Sequence, residues 1–162
     1  MNDKVILDTV RKLSQIEQFE KIYDEQGNNS MPSIEELKKI VWLTRSVLFP
    51  GYFDDVVVTN STKTYYIGVN VNHLLHLLKC QIRAGLCFDS EIKCDTPRDL
   101  ALLAQEKALT FITMLPELRQ KIYTDVIAAF NGDPAAKSYG EVIFCYPGIR
   151  AISNYRIAHA LL

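Results

Sequence analysis

The stretch GDPAAKSYGEVIFCYPGIRAISNYRIAHALL, Gly132 to Leu162, decides how this chain is read. Gly132-Asp133-Pro134 reads as a turn, because glycine tolerates positive φ and the residue before a proline is pushed out of the α region. Pro147 supplies the fixed φ of a first helical turn. Beyond it Ala151, Ile152, Tyr155, Ala158, His159 and Leu162 fall on one side at helical spacing, which predicts a final amphipathic helix with that side inward. The helix carries no glycine, asparagine or proline stop before Leu162. The expectation is a chain interrupted at this point, the alternative being a terminus whose last turn docks on the core.

Working outward, every earlier segment also reads as helix. Leu118, Ile122, Val126, Ala129 and Phe130 form one face up to Asn131-Gly132. Thr96-Pro97 supplies an N-cap and a proline at the first helical position, followed by Leu100, Leu103, Ala104, Ala108, Phe111, Ile112 and Leu115, with Pro116 expected to end or kink that helix. The run Lys63 to Leu86 is densely apolar and is expected to be the central, most buried helix. Val56-Val57-Val58 reads as an extended linker. Ser33 with Glu36 forms a capping box ahead of Leu37, Ile40, Val41, Thr44, Val47 and Leu48, and Pro50-Gly51 closes that helix. Residues 3 to 25 carry Ile6, Val10, Leu13, Ile16, Phe19 and Tyr23 at three- and four-residue steps. A short helical turn is expected around Ser138 to Cys145. With no repeat and no long linker, residues 1–162 make a single all-α domain, a bundle of about seven to eight helices.

Composition bounds the function. The 162 residues are 48% hydrophobic, enough for one core, and 18 basic against 19 acidic residues leave a formal charge of -1. No basic run offers a footprint for nucleic acid. Neither a signal peptide nor an apolar run of membrane-spanning length is present, and the expected location is the cytoplasm. Cys80, Cys87, Cys94 and Cys145 lack paired CxxC spacing and read as free thiols.

Two motif groups carry a resemblance. The GDPA turn (Gly132 to Ala135), the YPG turn (Tyr146 to Gly148) and the YRIAH helix (Tyr155 to His159) stand in the order and spacing of bacterial serine acetyltransferases. SVLFPGYFD, Ser46 to Asp54, is similar to a branch of that family with an LFPGYF turn. In that family this segment joins a helical N-terminal domain to a left-handed parallel β-helix of hexapeptide repeats, which holds the catalytic histidines and does not follow Leu162 here. The resemblance implies a parent enzyme that moves acetyl from acetyl-CoA to L-serine for cysteine synthesis. It implies no catalytic residue and no bound cofactor within this chain, acetyl-CoA being a co-substrate of the full-length enzyme. It also implies a homo-oligomer joined through helical faces, here expected as a dimer, with a possible link to O-acetylserine sulfhydrylase through a missing C-terminal tail. The competing reading is a non-enzymatic helical module for oligomerisation or docking.

Individual residues divide the same way. By residue type Asp133 is a turn or capping aspartate; by resemblance it lies at the active site and holds the amino acid substrate. His73, His76 and Cys80, at i, i+3 and i+7, offer zinc-type ligands without a visible fourth, and a structural role is favoured over a metal. Cys80, Cys87 and Cys94 read as packing thiols with a helix end between them, helped by Gly85. His159 reads as a hydrogen-bonded core histidine, and Arg156 as a partner for a carboxylate on a neighbouring helix or subunit. Glu35-Glu36 and Asp54-Asp55 read as solvated surface.

Overall fold

The computed structural model describes residues 2–14, 31–88 and 96–161, which hold six helices and no strand. We number them α1 (Asn2–Ser14), α2 (Ile34–Leu48), α3 (Lys63–Phe88), α4 (Pro97–Gly132), α5 (Tyr139–Cys145) and α6 (Pro147–His159). The all-α class stands, with six helices among the described residues where the pattern predicts seven to eight. One merger accounts for part of the difference: α4 runs through Pro116 as a single helix. Pro116 lies on the exposed side of α4, where the backbone bond it removes can be replaced by water.

Local chemistry sets the helix starts. Ser33 Oγ accepts from Glu36 N at 3.3 Å, as the capping box predicts. Its reciprocal half is rerouted: Ser33 N donates to Gln81 Oε1 of α3 at 2.7 Å, while Glu36 pairs with Lys39. The box therefore also pins α2 to α3. Thr96 Oγ1 accepts from Asp99 N at 3.2 Å ahead of Pro97, and Ser138 Oγ from Glu141 N at 3.1 Å. After α2, Gly51 takes φ +83°, a conformation that L side chains rarely adopt, and turns the chain into the linker holding Val56 to Val58. Gly132 needs no such freedom, since it is the last residue of α4 and its φ is not positive.

The central helix is α4, not α3. It packs against α2, α3, α5 and α6, whereas among the described helices α3 meets α2 and α4. Along α4 the stripe Ala104, Ala108, Phe111, Leu115, Leu118, Ile122 and Val126 is buried without a break. Ile40 and Val47 of α2, Leu74 and Leu78 of α3, Val142 of α5 and Ile149 and Ile157 of α6 join it in one core. Each fully buried Leu or Ile contributes about 1.5–3 kcal/mol of transfer free energy. In contrast, α1 packs on no other described helix and Ile6, Val10 and Leu13 are exposed; the rest of that predicted stripe, Ile16, Phe19 and Tyr23, lies outside the described residues.

The last helix turns a different face inward from the one its periodicity suggests. Ile149, Ser153 and Ile157 are buried, while Ala151, Ile152, Tyr155, Ala158 and His159 are exposed. Ser153 can occupy the inner face because its hydroxyl donates to the Ile149 carbonyl at 2.6 Å and is not left unpaired. Arg156 binds across to α4, Nε to Asp125 Oδ2 at 2.6 Å and one terminal nitrogen to Oδ1 at 2.8 Å. This two-point pairing holds α6 against the C-terminal third of α4.

Candidate functional site

The turn that follows α4 assembles around Asp133. Pro134 forces the residue before it into extended conformation, and Asp133 sits at φ -121°, ψ 103°, which ends the helix. Asp133 Oδ1 then accepts from Ala135 N at 2.9 Å, and the Asp133 carbonyl accepts from Ala136 N at 3.1 Å. This local turn is the geometry that residue type alone suggests for an aspartate before proline.

The second carboxylate oxygen is used differently. Tyr146, thirteen residues along, donates its phenolic hydrogen to Asp133 Oδ2 at 2.6 Å. Tyr146 is the junction between α5 and α6, capping the end of one and the start of the other. Its N–H donates to the Val142 carbonyl at 3.4 Å and its own carbonyl accepts from Arg150 N at 3.1 Å, and its ring packs on the core. The hydrogen bond thus ties the GDPA turn to the YPG turn.

Electrostatics follow from that bond. The Tyr146 hydroxyl, and after it the Ala135 N–H, holds the Asp133 carboxyl below the usual carboxylate range against a small opposing desolvation. The same bond is the first cause pushing Tyr146 up to about 12, aided by desolvation and by the charges of Asp133, Glu141 and Cys145. At neutral pH the pair is therefore a phenol donating to an ionised carboxylate. Each carboxylate oxygen carries two lone pairs, so both can accept a further donor. Asp133 is half-buried.

The second resemblance motif closes on itself and abuts α5. Ser46, fully buried, donates to Asp54 Oδ1 at 3.2 Å, joining the two ends of SVLFPGYFD. Asp54 is therefore half-buried and bonded, while Asp55 is exposed. Arg45 lies 4.1 Å above the Phe53 ring, and Arg119 of α4 donates to the Val47 carbonyl at 2.6 Å. A methyl placed on Gly140 would stand 3.4 Å from Tyr52 Oη, so this turn reaches the start of α5.

The remaining predicted residues do not converge. His73, His76 and Cys80 are all exposed on α3, with Cys80 Sγ 3.9 Å from His76 Nε2. Among the described residues no three potential ligands come together. Cys80 and Cys87 share α3, which continues through Gly85 to Phe88; Cys94 lies outside the described residues. His159 is not a core histidine: it is exposed, its ring stacked on Tyr155 at a centroid distance of 5.9 Å. Residue-type reasoning missed Tyr146 as the partner of Asp133, because its only signal was membership of the YPG turn.

Comparison with known proteins bears on this arrangement. No family model matches the chain. A protein of Synechococcus elongatus named "Serine acetyltransferase, plasmid" is 42% identical over 134 residues, covering 81% of this chain and 42% of that protein. The serine acetyltransferase of Bacillus subtilis is 57% identical over 37 residues, 23% of this chain and 17% of its own length. That of Mycobacterium tuberculosis is 54% identical over 37 residues, 23% of this chain and 16% of its own length. The chain spans less than half the length of the curated relatives it matches. Over 81% of its own length the chain is homologous to a serine acetyltransferase, and what it shares with that family is all-helical among the described residues.

Proposed function

We propose that this chain is the helical N-terminal domain of a serine O-acetyltransferase, which transfers acetyl from acetyl-CoA to the hydroxyl of L-serine in cysteine biosynthesis. Within it Asp133 receives the substrate ammonium. The observation that carries this reading is the Asp133 carboxylate, hydrogen-bonded through both oxygens at the end of α4 in the segment that resembles the family. The proposal places the general base outside these 162 residues. His73, His76 and His159 are exposed, and among the described residues none is bonded to a carboxylate that would orient it as a base. Residues 1–162 alone then have no acetyltransferase activity, and acetyl-CoA binds elsewhere in the full-length protein.

The test is CoA thiol release from acetyl-CoA and L-serine by the full-length protein. Turnover is expected, and Asp133→Asn raises KM for serine by about tenfold or more, the scale of one charge-assisted hydrogen bond. No turnover by the full-length wild type, or turnover by residues 1–162, overturns the reading. The proposal extends to a homo-oligomer in the cytoplasm, with O-acetylserine sulfhydrylase as a partner. No described helix is long and apolar enough to cross a membrane.

A second reading, a non-enzymatic module for self-association or docking, is favoured by the exposed Val5, Ile6, Leu7, Val10 and Leu13 of α1. It predicts association that survives in residues 1–162 and no CoA release by any form of the protein. Sedimentation over a concentration series, with wild type and Asp133→Ala, separates the two. A dimer that is lost on the substitution contradicts a substrate role for Asp133.

A further inference from the structure

We propose that Tyr146 is the positioning residue for Asp133, its phenol fixing the carboxylate so that the free lone pairs point at the substrate ammonium. The inference rests on the reading of Asp133 given above and names the group that makes it work. An aspartate at the end of a helix turns about two side-chain bonds, and the Ala135 N–H alone restrains only Oδ1. The Tyr146 O–H on Oδ2, at 2.6 Å, fixes the other oxygen and with it the plane of the carboxylate.

Tyr146 is suited to that work because it is held on several sides. Its backbone is bonded on both sides, to Val142 and from Arg150, and its ring lies against the core. The α6 helix that begins there is in turn held to α4 by the Arg156–Asp125 pair. A closed circuit results: α4 carries Asp133 at its end, α6 carries Tyr146 at its start, and one ion pair and one hydrogen bond join them. The hydroxyl also donates rather than accepts, so it favours the charged carboxylate that an ammonium needs.

The experiment uses the full-length protein and steady-state kinetics with serine and acetyl-CoA varied separately. Tyr146→Phe, which keeps the ring, is expected to raise KM for serine by about fivefold to twentyfold, the range of a lost hydrogen bond to a charged group. The kcat and the KM for acetyl-CoA stay within about twofold, as uniform loss of ground-state and transition-state binding requires. Tyr146→Met, a second removal of the hydroxyl, must show the same serine-specific change.

The decisive arm is the double variant. In an Asp133→Asn background Tyr146→Phe is expected to add less than about twofold, because residues acting through one contact are not additive. Multiplicative effects, or an equal loss in kcat and in KM for both substrates, make Tyr146 merely structural and overturn the proposal. An unchanged KM for serine in both Tyr146 variants while Asp133→Asn raises it overturns the positioning role alone. An unchanged KM in Asp133→Asn overturns the reading of Asp133, and the positioning role with it.

Discussion

Replacing Ile157 by alanine tests which face of α6 is inside. Its side chain is completely buried, one helical turn below Ser153 and two below Ile149. Truncation at Cβ removes three carbons, worth about 2.4 kcal/mol at roughly 0.8 kcal/mol for each buried group. The cavity left behind adds to this, because the core around Ile157 is built on α4 and relaxes only in part, so the expected loss is about 3–4 kcal/mol. For a chain of this size each kcal/mol lowers Tm by about 2–4 °C, which places the drop at roughly 6–16 °C. Tyr155→Ala is the control: the residue is 65% exposed and its ring stacks on His159, so the expected change stays within about 0.5 kcal/mol. Urea unfolding of both variants, followed by helical circular dichroism, gives the two numbers directly. A loss under about 1 kcal/mol for Ile157→Ala, or a larger loss for Tyr155→Ala, would refute the assignment of the inner face.

Two further outcomes follow from the turns. Gly51→Ala is expected to cost at least about 1–2 kcal/mol, since a side chain at φ +83° meets the left-handed penalty and its Cβ would stand 3.3 Å from Val58 Cβ. Gly132→Ala, helical and with no atom within 4 Å of the added methyl, is expected to stabilise by about 0.5–1 kcal/mol; urea midpoints of opposite sign check the pair. The Asp133–Tyr146 bond makes stability depend on pH at both ends. With its folded pKa depressed, Asp133 contributes stability above the ordinary carboxylate value of about 3.9, and that contribution is lost as pH falls through the lowered folded value. With its folded pKa raised to about 12, Tyr146 contributes stability that is whole below about 10 and is lost as pH rises toward 12. Denaturation midpoints for wild type and Tyr146→Phe should therefore differ most between about pH 5 and 9 and converge at both extremes; a constant difference across the range contradicts the pairing.

What the residues disclosed was mostly local. Ser33-Glu36, Thr96-Pro97, Ser138 and Pro50-Gly51 placed helix ends correctly because caps and turns are made by neighbours in sequence. The α4 stripe was legible because every inward position on it is apolar. On α6 the same method chose the solvent face, because Ser153 and Asn154 interrupt the inner side while Ile152, Tyr155 and His159 supply an apolar-looking outer one. A serine bonded to its own helix is invisible to a count of hydrophobic residues. Pro116 misled for a related reason: whether a helix tolerates proline depends on which side of it faces water, and that is set by packing. The rank of α3 and α4 likewise depended on neighbours, since α3 is dense in apolar residues yet packs on two of the described helices where α4 packs on four.

At the site the limit was one contact. Asp133 was visible as a turn residue from its type and as a substrate residue from the resemblance, two roles that residue type sets against each other. In the structure the turn uses Oδ1, through Ala135, and Tyr146 binds Oδ2. A carboxylate that only closed its own turn would need no second donor from a helix junction thirteen residues away. The tyrosine hydroxyl is what distinguishes this aspartate from an ordinary one before proline. The proposed effect of that hydroxyl on serine binding, and not the turn itself, is therefore where the functional reading stands or falls.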